Sequence, residues 1–76
     1  MIKVSDNDKK ILNRAIKNFD EYFRNEDFWS IIDELDDIYN DEAMSNDGEP
    51  TDYAYDIERV RDHLYDDNIE EYRRTH

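Results

Sequence analysis

Apolar residues recur at helical spacing along most of this chain. Ile11, Leu12, Ala15, Ile16, Phe19, Tyr22 and Phe23 form a first stripe, which predicts a helix from about residue 6 to residue 24. Ser5 precedes it as a natural N-cap, and Asp6 and Asp8 fall in its first turn, where carboxylates suit the helix dipole. Phe28, Ile31, Ile32, Leu35, Ile38 and Tyr39 form a second stripe. It predicts a helix capped by Asn25 or Asp27 and running to about Met44. The segment from Ser45 to Pro50 is rich in turn residues and reads as a loop. Thr51 caps a third helix, whose stripe is Tyr53, Ile57, Val60, Leu64 and Tyr65. Asp66, Asp67 and Asn68 break or re-cap it, leaving Ile69 and Tyr72 to pack from a last short turn or helix. No segment alternates like a strand. The expected fold is all-α, a small compact bundle of three helices with room for a short fourth.

The 76 residues suit one domain, 1–76, with a thin core. A chain of this size buries only about 60% of its unfolded surface. Charged residues make up 42% of the chain, close to the composition of disordered proteins. Six Tyr, three Phe and one Trp argue for a folded aromatic core instead. No apolar run approaches a membrane span, and the N-terminal residues lack an apolar export segment. The absence of Cys removes disulfides and thiolate metal sites. A cytoplasmic protein is the expectation, in the host cell if the chain is phage-encoded.

Charge sharpens the picture. The net charge is −12. Residues 1–24 carry six bases and four acids, whereas residues 25–58 carry thirteen acids and no Lys or Arg. Ordinary soluble helices intersperse both signs and gain from i,i+4 pairs. This stretch forgoes that gain and accepts like-charge repulsion. A solvated face kept for solubility is the bland account of such a run. Direct binding to nucleic acid or to an anionic membrane is excluded as an expectation, because both need clustered cations.

Catalytic chemistry finds little footing. Asp36-Asp37 and Asp66-Asp67 are sequence neighbours, but adjacent side chains on a helix do not face each other. An EF-hand register with Gly48 at its glycine position puts Ala43 and Ala54 where acidic ligands belong, so that pattern fails. His63 has no second His one turn away, and His76 is terminal. His63 therefore reads as an exposed or half-buried structural residue. Ser30 and Ser45 have no base nearby in sequence. No catalytic residue, metal site or cofactor is expected. Trp29 reads first as core, with an exposed interface anchor as its functional alternative. Tyr55 lies off the apolar stripe and is the more exposed anchor candidate.

Asp33, Asp37 and Asp41 stand at i, i+4 and i+8 on the second predicted helix. Four helical residues rise about 6 Å, near the spacing of neighbouring phosphates on a nucleic-acid strand. Asp27, Glu34, Asp36 and Glu42 widen the row. Asp52 and Asp56 repeat the spacing on the third helix, and Glu58, Asp62 and Asp66 continue it. Two such rows on packed helices, about 8–10 Å between axes, would present a double line of negative charge. The physical expectation is a DNA mimic.

Residues 33–60 also resemble a segment of Ocr-type phage antirestriction proteins. There an acidic helix leads through a short Pro turn into a helix containing Tyr and Asp, as in Pro50-Thr51-Asp52-Tyr53-Ala54-Tyr55-Asp56-Ile57 here. The resemblance covers about a third of the chain. It implies an acidic, all-α, dimeric inhibitor that blocks restriction or other phage-defence enzymes by imitating duplex DNA. It points to the acids from Asp33 to Asp62 as the mimic surface. This chain is shorter and has a basic first helix carrying Lys9, Lys10, Arg14 and Lys17. The expected partner is a DNA-binding protein: a restriction enzyme, a CRISPR effector or a nucleoid protein. A homodimer is a further expectation. The alternative is an acidic adaptor or antitoxin-like protein that binds a basic partner at a surface not used for DNA, through Trp29 and Phe28 more than through carboxylates. The basic first helix would pair with acids of the other helices or meet the acidic face of a second subunit.

Overall fold

A computed structural model describes residues 1–45 and 51–73. The turn-rich segment at 46–50 and the terminal His76 lie outside the described residues. Four helices follow in order: α1 Asp6–Ala15, α2 Phe19–Arg24, α3 Phe28–Ser45 and α4 Asp52–Asn68. No strand occurs among the described residues, so the protein is all-α.

The predicted caps at Ser5 and Thr51 operate. The Ser5 hydroxyl accepts from the Asp8 N–H at 3.2 Å, and the Thr51 hydroxyl accepts from the Ala54 N–H at 3.1 Å. Each satisfies one of the donors that a helix start leaves without an intrahelical partner. Asp27 immediately precedes α3, and its carboxylate accepts from the Ser30 hydroxyl at 2.8 Å. Asn25 instead ends α2.

The single helix expected over 6–24 is two helices. At Ile16 the backbone turns extended, with φ −114° and ψ 116°, while its N–H still closes the last turn of α1 onto Leu12. No Gly or Pro marks the break. Its cause is tertiary: α1 packs against α4, whereas α2 packs against α3. One straight helix would follow a single direction across that pair. The kink instead lets Leu12, Ile16 and Phe19 all reach the core. The short extra helix is therefore near the start of the chain. Among the described residues the chain after Asn68 makes only a turn, with Tyr72 packed against the core.

The core joins Leu12, Ile16, Phe19, Phe28, Ile31, Ile32, Leu35, Ile57, Val60 and Leu64 with Ile2 from the N-terminal segment. Burying each large aliphatic or aromatic side chain is worth about 1.5–3 kcal/mol relative to exposure. Ile2 is held there by buried Asn68. The Asn68 side chain accepts from the Lys3 N–H at 2.7 Å and donates to the carbonyls of Lys3 and Leu64. Phe28 stacks on Tyr72 with ring centres 5.4 Å apart and meets Trp29 edge-on at 5.1 Å.

Candidate acidic interaction face

α3 and α4 form the most extensively packed pair of helices, and they carry most of the acids singled out from the sequence. The buried line of α3, through Phe28, Ile31, Ile32 and Leu35, leaves Asp33, Asp37 and Asp41 on its exposed side. They stand one turn apart on that strip, so α3 carries an exposed row of carboxylates with the expected spacing. Its last turn contains no base to offset the charge.

On α4 the acids divide. Residues six apart on a helix lie about 240° around its axis. Asp52 and Asp56 therefore occupy a different side from Glu58 and Asp62. The second set borders a shallow groove of about 200 Å³ between α3 and α4, together with Asp36. Leu35 and Ile57 form its apolar floor, and Arg61 reaches into it. The structure thus brings Asp36, Glu58 and Asp62 together across the helix pair. It leaves Asp52 exposed at the α4 start.

Several of the acids are already engaged within the chain. Asp36 receives the Arg61 Nε–H at 2.5 Å, and Asp62 lies 3.7 Å from Arg61 Nη1. Asp56 pairs with Arg59 at 2.9 Å. Half-buried Glu42 accepts from the Thr51 hydroxyl at 2.9 Å and so ties the end of α3 to the start of α4. Glu34 is half-buried, and Asp37 and Glu58 are exposed. The Arg61 pairs are partly exposed and therefore worth about 1 kcal/mol or less each, so Arg61 offsets part of the repulsion around it.

The aromatic candidates separate cleanly. Trp29 is half-buried, packs against the core, and donates its indole N–H to the Tyr72 carbonyl. Tyr55 is 56% exposed. Trp29 is thus tied into the fold, whereas Tyr55 is the most exposed of the α4 tyrosines, ahead of Tyr53 and Tyr65.

The basic first helix does not neutralise the acid rows. Lys10, Arg14 and Lys17 are exposed and form no ion pair among the described residues. Lys9 instead lies over the Phe23 ring at 4.7 Å. His63 pairs with Asp8 rather than with its α4 neighbours. Sequence reasoning missed both this pair and the Arg61–Asp36 pair. Neither has a local signal, since their partners are 55 and 25 residues apart.

Among the described residues no three His, Cys, Asp or Glu side chains converge to hold a metal ion. Among the same residues no helix is long and apolar enough to cross a membrane. No known protein family, curated protein or solved structure matches the chain.

Proposed function

We propose that this protein is a DNA mimic, an inhibitor that occupies the DNA-binding site of another protein. The observation that carries the reading is the exposed row of Asp33, Asp37 and Asp41 on α3, beside a second acidic edge at Glu58 and Asp62 on α4. Carboxylates about 6 Å apart along a rigid helix offer a cationic groove what a phosphate strand offers it. Binding would release counterions from the groove and be steered by the net charge of −12. The target classes are restriction enzymes, CRISPR effectors and nucleoid proteins, which suits a phage or mobile-element product. The acids act by binding and take no part in catalysis.

The test is displacement of a fluorescent DNA duplex from three purified proteins: a type I restriction enzyme, an RNA-guided nuclease and a nucleoid protein. The expected result is displacement from at least one of them, weakening as salt rises. The triple variant Asp33→Asn, Asp37→Asn, Asp41→Asn should lose displacement while its circular dichroism is unchanged. Displacement from none of the three, or an equally effective triple variant, would overturn the reading.

Exposed Tyr55 favours a second reading, an acidic adaptor that docks on a basic partner away from its DNA site. In that case Tyr55→Ala would weaken partner binding more than the triple variant does, and DNA would not compete.

A further inference from the structure

We infer that Arg61 is a positioning residue that fixes the spacing between the two acidic helices. Three carboxylates, Asp36 from α3 with Glu58 and Asp62 from α4, border the groove into which Arg61 projects. Its Nε–H donates to Asp36 across the helix pair, Nη1 lies 3.7 Å from Asp62, and the guanidinium sits 5.7 Å over the Tyr65 ring. The Arg61 side chain is only 33% exposed. One cation therefore touches an acid on each helix, at the place where like charges would otherwise push the helices apart. Guanidinium suits this task because its planar fork reaches two acids and a ring together, which a lysine ammonium does not.

The consequence is a division of labour. Asp33, Asp37 and Asp41 face outward to a partner, whereas Arg61 spends its charge inward to keep the α4 edge at a set distance from them. The functional half of this inference rests on the DNA-mimic reading. The structural half does not.

The experiment has two arms. The chain contains no Cys, so nitroxide labels at Asn40→Cys and Tyr55→Cys report the α3–α4 separation by pulsed electron resonance. Arg61→Met, which keeps an apolar stem over the ring, should broaden that distance distribution at low salt. Salt of about 1 M, where the Debye length is about 3 Å, should narrow it again. Arg61→Lys should fall between wild type and Arg61→Met, and it stands in if Arg61→Met fails to fold. An unchanged distribution overturns the inference.

In the second arm, Arg61→Met with its outward acids intact should displace duplex DNA about tenfold less well than wild type, about 1.4 kcal/mol. Equal displacement despite a broadened distribution overturns the functional half. If wild type displaces DNA from none of the three proteins, the mimic reading fails, and the label distances still decide the role of Arg61.

Discussion

His63 on α4 reaches Asp8 on α1, with Nδ1 and Oδ2 3.0 Å apart. The two ends of this contact differ in kind. Asp8 is buried at 5% exposure, whereas the His63 side chain is 55% exposed. A buried carboxylate needs a partner, and the imidazole supplies one from solvent like a lid. The same Asp8 gives its backbone N–H to the Ser5 cap. The start of α1 is thereby anchored to the middle of α4.

Removing the lid should leave Asp8 buried without that partner. His63→Ala is expected to destabilise the fold by about 1–3 kcal/mol. Asp8→Asn combined with His63→Ala should lose less than the sum of the single changes, because both act on one contact. Urea unfolding followed by circular dichroism measures all three. Additive losses would show that the contact contributes nothing.

Thr51 does two things at the α4 start: it caps Ala54 and donates to Glu42. Thr51→Ala should cost about 0.5–2 kcal/mol. Thr51→Ser keeps the hydroxyl and should cost far less. A Thr51→Ser variant as unstable as Thr51→Ala in the same urea assay would rule out the capping account.

The N-terminal amine, Glu26 and Tyr72 form a small network that predicts pH dependence. The amine lies 2.7 Å from Glu26, and the Tyr72 hydroxyl donates to Glu26 at 2.7 Å. Burial, and then the bond to Glu26, push Tyr72 up from 10 to about 12. A raised pKa means that the folded state holds the phenol proton more tightly than the unfolded chain does. That stability is fully present below pH 10 and is lost as pH rises from 10 towards 12. Tyr72→Phe should flatten this part of a melting-temperature profile. Hydrogen bonds from the amine and then from Tyr72 hold Glu26 below its usual value of 4.5, so its contribution is present above 4.5 and is lost as pH falls below it. Glu26→Gln should weaken the acid limb of the same profile.

Asp37 stands one helical turn from both Asp33 and Asp41. Asp37→Lys converts two repulsive spacings into attractive ones and should stabilise α3 by about 0.2–0.5 kcal/mol per pair at low salt. If the acid row serves binding, the same variant loses DNA displacement while melting higher. A variant that melts higher and displaces DNA as well as wild type would show that the row is dispensable.

Much of the fold is legible locally. The stripes through Ile31, Leu35 and Ile57, Val60, Leu64 mark two helices, and Ser5 and Thr51 mark helix starts, because each depends on neighbours within a turn or two. The all-α class and the exposed spacing of Asp33, Asp37 and Asp41 follow from the same short-range periodicity. The break at Ile16 has no such mark, since Ile11, Leu12, Ala15, Phe19 and Phe23 continue one helical pattern straight through it. Only the separate packing of α1 on α4 and α2 on α3 requires the kink.

The acidic face divides in the same way. Sequence alone determined that residues 25–58 contain no Lys or Arg and that α3 carries regularly spaced acids. Tertiary structure decided which distant partners several of these acids meet. It drew Asp36 to Arg61, tied Glu42 to Thr51, and brought Glu58 and Asp62 of α4 to the same groove as Asp36 of α3. It also fixed Ile2 in the core through Asn68, 65 residues from the Lys3 groups it holds. Helical periodicity acts within a turn or two of chain, whereas ion pairs and buried amides join residues that only the packing of helices brings within reach.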